Sequence, residues 1–114
     1  MTTIYHMADA TAFAEAMTRG FYDGTAEDRA DGFIHFSTAD QVIESAARHR
    51  AGRSGLVLVA VTAEVLASRL KWEAARGGAL FPHLYGALAA GEVISVRVLP
   101  LGPDGRHVFP PLEA

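Results

Sequence analysis

Cysteine is absent from the 114-residue chain, which excludes a disulfide framework, a thiol nucleophile and any cysteine-ligated zinc or iron–sulfur centre. Its absence also fits a reducing compartment. No apolar run approaches the roughly 20 residues of a membrane-spanning helix. Residues Met1 to His6 lack the basic and apolar regions of a secretory signal, so the expected location is the cytoplasm. An excess of basic charge is missing too: 10 Lys and Arg stand against 13 Asp and Glu, for a formal net charge of -3. That balance speaks against nucleic acid as the main partner. Glycine signatures for phosphate are lacking, since neither Gly-x-x-x-x-Gly-Lys nor Gly-x-Gly-x-x-Gly occurs. Nor is there a Gly-x-Ser-x-Gly nucleophile elbow, which removes the usual frame for a serine hydrolase.

What is present has a globular composition, 50% hydrophobic and 20% charged. A chain of this length can bury one core without a metal or disulfide staple. With no internal repeat, low-complexity tract or linker, residues 1–114 read as a single domain. The exposed apolar content does not demand a dimer, and the oligomeric state is left open.

Periodicity gives the order of elements. Thr3 to Met7 reads as an opening strand, and Asp9 as the N-cap of a helix carrying Phe13, Ala16 and Met17 on one face and ending at Gly20. Residues 20–32 read as a long irregular loop, of the kind that carries function or stays mobile. Phe33 to Ser37 is a second strand, and Thr38 with Gln41 forms a capping-box pattern for a helix running to about Arg50. The run Leu56 to Val61 reads as a central strand buried on both faces. A helical turn at Ala63 to Ala67 leads to a strand at Leu70 to Glu73, a turn at Gly77-Gly78, and an extended segment from Phe81 to Gly86. Glu92 to Leu99 is the last long strand, with a turn at Pro103-Asp104-Gly105 and a hairpin arm at Arg106 to Phe109. Because the helices stop after mid-chain, the order fits an α+β fold better than a doubly wound sheet.

Chemistry gathers at four places. On the second strand His35 and Ser37 point one way and Ile34 and Phe36 the other, as on a strand lining a pocket. The plain structural reading is a satisfied histidine followed by a helix cap. His6 sits at the expected end of the first strand, where ligand contacts are common. Lys71 and Glu73 share a face, with Leu70 and Trp72 opposite; the plain reading is a solvated face over a core tryptophan. Phe81-Pro82-His83-Leu84-Tyr85-Gly86 is the densest motif, with Pro82 holding Phe81 extended. A metal site of His6, His35 and His83 with Glu73 is chemically reasonable, but no His-x-His or His-x-x-x-His spacing supports it. Arg48, Arg50 and Arg53 form a loose basic cluster, read as a solvated helix end or, alternatively, as a phosphate contact.

Taken in order, Ile4-Tyr5-His6, Asp31-Gly32-Phe33-Ile34-His35-Phe36-Ser37 with Gln41, Lys71-Trp72-Glu73 and Phe81-Pro82-His83-Leu84-Tyr85-Gly86 resemble the domain-of-unknown-function 952 family. The resemblance runs from the first strand almost to the C-terminus. It implies an ADP-ribosylation-like fold: a split, mainly antiparallel sheet with two main helices in the N-terminal half. It also implies an NAD- or ADP-ribose-utilising transferase or hydrolase, with NAD as co-substrate and no metal. By position, His6 and His35 match the histidines that hold the ribose and nicotinamide ends of NAD in the ADP-ribosyltransferase superfamily. The residues expected to act in catalysis are His35, Glu73 and His83, the third position falling to Glu73 or to His83 and Tyr85. Those expected to hold the ligand are His6, His35, Ser37, Phe81 and Tyr85. The alternative on the same fold is a non-catalytic module for a nucleotide-like small molecule.

Overall fold

Alternation along the aliphatic run 56–61 sorts its side chains into two cores, and the remaining elements pack on one side or the other. The computed structural model describes residues 1–114, the side chain of Arg76 excepted. Strand β1 (Thr3–Asp9) leads into α1 (Ala10–Arg19), followed by β2 (Phe21–Tyr22), α2 (Ala26–Asp31), β3 (Ile34–His35), β4 (Ser37–Thr38) and α3 (Ala39–His49). The second half holds β5 (Leu56–Thr62), the one-turn α4 (Ala63–Leu66), β6 (Leu70–Ala74), β7 (Leu80–Leu84), β8 (Leu88–Ala89) and β9 (Val93–Leu99). Every strand pairing among the described residues is antiparallel. The sheets run β4-β1-β5-β9, β3-β7-β6 and β2-β8. The chain is thus α+β with mainly antiparallel sheets. No helix among the described residues is long and apolar enough to cross a membrane.

Val57, Val59 and Val61 face the first core with Ile4 and Ala8 of β1, Phe13 and Ala16 of α1, and Ile34, Leu84 and Leu88 from the smaller sheets. Leu56, Leu58 and Ala60 face the second, closed by Val42 of α3, Leu99 of β9 and the C-terminal Phe109 and Leu112. Burial on both faces is what the unbroken β-branched run requires. Capping follows the sequence as well. The Asp9 carboxylate accepts the Ala12 N–H at 2.9 Å, and Gly20 ends α1 in the left-handed region at φ 99. Gln41 returns its side-chain oxygen to the Thr38 N–H at 3.1 Å, fixing the start of α3.

Four expectations are corrected. The 20–32 stretch is not a bare loop but holds β2 and α2. Helix α2 starts on a reciprocal polar pair, with the Asp28 N–H on Thr25 Oγ1 at 3.1 Å and the Thr25 N–H on Asp28 Oδ2 at 2.8 Å. Phe33 to Ser37 is not one strand: β3 pairs with β7 and β4 with β1, and the chain changes sheets at Phe36, whose N–H donates to the Pro82 carbonyl at 3.0 Å. The expected C-terminal arm is reduced to a single bridge between Leu101 and His107. Trp72 is 43% exposed and so is no core residue.

Leu84 joins the three-stranded sheet to the first core, lying opposite Ile34 on one side and Leu70 on the other. Leu84→Ala should lower stability by about 3 kcal/mol, read as a lower urea midpoint at an unchanged slope.

Candidate functional site

The register of the three-stranded sheet gathers side chains that the sequence keeps far apart. His83 lies opposite Lys71 on β6 and opposite His35 on β3, and Phe81 lies opposite Glu73. Alternation then sends His35, Phe81, His83, Lys71 and Glu73 to one face, while Ile34, Leu84 and Leu70 turn the other way. On the polar face Glu73 Oε1 accepts two hydrogen bonds, from His83 Nδ1 and from the Tyr85 hydroxyl, each at 2.8 Å. Those donors, His83 first, hold the Glu73 carboxyl below the usual carboxylate range. The same contact pushes the Tyr85 hydroxyl up. Phe33 stacks on the His83 ring at 4.0 Å and 22°.

Behind His35 lies a carboxylate taken out of water. Asp28 is 1% exposed. Its Oδ1 accepts both the His35 N–H at 3.2 Å and His35 Nδ1–H at 2.5 Å, and its Oδ2 accepts the Thr25 N–H. Burial acts to raise the Asp28 pKa, but the His35 hydrogen bond, the nearby His6 and the two N–H donors outweigh it and hold the carboxyl below its ordinary value. His35 Nε2 lies 3.0 Å from Asp31 Oδ2, so the imidazole sits between two carboxylates. The hydrogen bond to Asp28 raises the His35 pKa against partial burial.

His6 is held differently. Its Nδ1 lies 2.7 Å from the His35 carbonyl, which can only accept, so Nδ1 carries the proton. Nε2 of the neutral ring then accepts from the Tyr22 hydroxyl at 2.8 Å. Burial pushes the His6 pKa down, only partly opposed by Asp28. Burial likewise pushes the Tyr22 hydroxyl up, keeping it a donor.

A cavity of about 680 Å³ opens over these groups. Its floor comes from Tyr5, His6 and Met7 of β1 and from His35, Phe36 and Ser37 at the sheet crossing. Phe81 and His83 form one wall. The end of α3 and its cap supply Ser45, Arg48, His49 and Arg50, and α2 supplies Glu27 and Asp31. Arg50 is largely covered and reaches Glu27 at 3.4 Å, and its charge helps to lower the His6 pKa. Ser37 Oγ donates to Ser45 Oγ at 3.1 Å.

Residues 7–96 match the model of the family described as Protein of unknown function (DUF952). The chain belongs to that family. This DUF952 chain is also similar to the crystal structure of protein CC0527 from Caulobacter crescentus, at 46% identity and TM-score 0.90, covering 94% of each chain. A crystallised double mutant of CC0527 agrees at 45% identity and TM-score 0.90, with 94% of each chain covered. The solution structure of CC0527 agrees at 47% identity and TM-score 0.83, covering 93% of this chain and 91% of that one. No curated protein matches. These comparisons carry no ADP-ribosyltransferase or NAD chemistry; that part of the expectation rests on the motif resemblance alone.

Among the expected site residues of the DUF952 chain, His6, His35, Ser37, Phe81 and His83 reach the cavity. Glu73 and Tyr85 stand behind His83 as its hydrogen-bonded support. His6 is not at a strand end: β1 runs on to Asp9, leaving His6 in mid-strand, 3% exposed, with both ring nitrogens engaged. No group of three His, Cys, Asp or Glu among the described residues is placed to hold a metal ion. The hydrogen bonds explain why: His6 and His35 have already spent both ring nitrogens. Sequence reasoning missed Tyr22, Asp28 and Phe33. The Thr25-x-x-Asp28 spacing was the available signal for Asp28; Tyr22 carried none. Of the basic cluster, Arg48 and Arg50 reach the cavity and Arg53 does not.

These pKa directions set opposite pH limits. The lowered Asp28 contributes stability that is present above its ordinary value of 3.8 and is lost as pH falls through its folded value. The raised His35 contributes stability that is whole below 6.5 and is lost as pH rises through its folded value. In NMR titrations of the ring protons His35 should titrate above 6.5 and His6 below it. Asp28→Asn should bring the His35 titration down and lower stability at neutral pH by roughly 1–3 kcal/mol.

Proposed function

We propose that the protein takes an NAD- or ADP-ribose-type ligand into this cavity, as the co-substrate of a glycosyl transfer or hydrolysis. The observation that carries the reading is the division of the cavity lining into a cationic rim, Arg48 and Arg50, and an aromatic side, Phe81 and His83. A pyrophosphate suits the first and a planar ring the second. The volume of about 680 Å³ lies within the roughly 300–1,000 Å³ typical of small-molecule sites. Ser37, at the crossing between the two sheets, offers its hydroxyl to the ribose, and His35 fixes the Asp31 carboxylate beside it. His6 acts indirectly by holding the His35 backbone through its carbonyl. Departure of nicotinamide leaves an oxocarbenium-like ribose, which a nearby carboxylate stabilises. Glu27 and Asp31 are the carboxylates that reach the cavity wall.

A second reading, a non-catalytic module for the same ligand class, is favoured by one observation. Both wall carboxylates already have protein partners, Asp31 at 3.0 Å from His35 and Glu27 at 3.4 Å from Arg50. The two readings differ in turnover and not in where the ligand sits.

Thermal denaturation with NAD, ADP-ribose and nicotinamide tests both. At one hundred times its dissociation constant a ligand should stabilise by roughly 2.7 kcal/mol, several degrees in Tm. Arg50→Ala and His35→Ala should lose most of that shift. Nicotinamide released from NAD supports transfer or hydrolysis, and a shift without release supports the module. No shift with any of these compounds overturns the ligand class.

A further inference from the structure

Of the three histidines singled out by the sequence, His83 alone keeps a ring nitrogen clear of protein partners among the described residues. His6 is committed to the His35 carbonyl and Tyr22, and His35 to Asp28 and Asp31. His83 is held through Nδ1 only. Glu73 is ionised and accepts a second hydrogen bond from Tyr85, so the proton between Glu73 and His83 belongs to Nδ1. The neutral ring therefore carries its lone pair on Nε2. No side-chain nitrogen or oxygen among the described residues is both buried and unpartnered, so Nε2 is reached by solvent, and the cavity is what His83 lines. The ring cannot easily turn away: Phe33 stacks on it at 4.0 Å and the His35 ring meets it at 5.6 Å and 70°. Lys71 sits opposite on β6, with its ammonium 5.9 Å from the Tyr85 ring centroid.

An oriented carboxylate–imidazole pair with its far nitrogen open to a ligand cavity is the arrangement a general base needs. We propose that His83 is the general base of this cavity, that Glu73 positions it, and that the acceptor it serves is an O–H nucleophile, water or an alcohol. The inference rests on the NAD-type reading in its catalytic form and adds to it the acceptor class and the proton's path. In the step, the acceptor oxygen forms a bond to the anomeric carbon while the carbon–nitrogen bond to nicotinamide breaks. The bonding pair leaves with the pyridine nitrogen, and the acceptor's proton passes to His83 Nε2 and then to solvent. An acceptor that is already anionic would have no use for such a base. Tyr85 braces Glu73 from the outer side and does not reach the reacting atoms.

Two measurements on the intact chain test the assignment. The first needs no turnover. Long-range nitrogen–proton NMR should show His83 as the Nδ1–H tautomer, and diethyl pyrocarbonate should acylate His83 at a rate that ADP-ribose slows. An Nε2–H tautomer, or a His83 inert to the reagent in the free protein, overturns the proposal. The second follows nicotinamide release from NAD with water or a simple alcohol as acceptor, beside calorimetric binding of ADP-ribose. His83→Gln should lower kcat by about 100-fold or more while ADP-ribose affinity stays within about threefold. Glu73→Ala should lower kcat less and release the ring into a mixture of Nδ1–H and Nε2–H tautomers, because the acceptor that fixes the proton on Nδ1 is gone. A residue that merely supported the fold would leave the tautomer in place. If ADP-ribose binds and His83→Gln keeps the wild-type kcat, or if wild type binds without release, the base assignment fails and the ligand reading stands. If ADP-ribose does not bind at all, the ligand reading itself fails.

Discussion

A carboxylate buried without partners would be too costly to keep ionised, and Asp28 avoids that cost because two separate elements aim three donors at it. The Thr25 N–H comes from the start of α2, and the His35 N–H and ring Nδ1 come from β3. Through the His35 carbonyl the network continues to His6 on β1, and from there to Tyr22 on β2. The segments α2, β3, β1 and β2 are thereby fixed relative to one another. The packing leaves no slack: a Cβ at Gly24 would lie 2.6 Å from Asp28 Cβ, and the backbone there has φ +99. Glycine is required at this position for both reasons.

This network also explains why the cavity exists. The chain crosses from the three-stranded to the four-stranded sheet at Phe36, so the two sheets stay separate there. Phe36 fills the core side of that seam. On the other side His35 and Ser37 flank an opening that α3 roofs with its C-terminal residues. A continuous strand from 33 to 37 would have closed it.

The long periodic elements were legible in the sequence because packing and pattern agree there. The run at 56–61 is buried on both faces, and the Asp9 and Thr38 caps start helices whose apolar spacing is regular. Helix α2 was missed because its six residues, Ala26 to Asp31, show no apolar period and its start is decided by a polar pair. His6 was misplaced because strand length follows pairing with β5, which extends two residues past Met7. Glu73 and His83 could be put on polar faces of their own strands by alternation alone. That they meet depends on the β6–β7 register, which no local pattern encodes. Asp28 and Tyr22 do their work through contacts distant in sequence, where residue type says little.

Three histidines, on β1, β3 and β7, therefore end in three different surroundings, set by their partners and not by the residue type. Burial favours the neutral form of His6, with a carbonyl at one ring nitrogen and a phenol at the other. Two carboxylates favour the charged form of His35. His83 has one carboxylate at Nδ1 and lines the cavity. The sheet that carries His35 and His83 buries Ile34, Leu70 and Leu84 on its opposite face, against the first core. Side chains on the cavity face can thus be exchanged without opening that core, whereas Asp28 cannot be exchanged without loosening the frame that presents them. Separate carboxylates thus hold separate parts of the molecule, Asp28 the frame and Glu73 the His83 ring that lines the cavity.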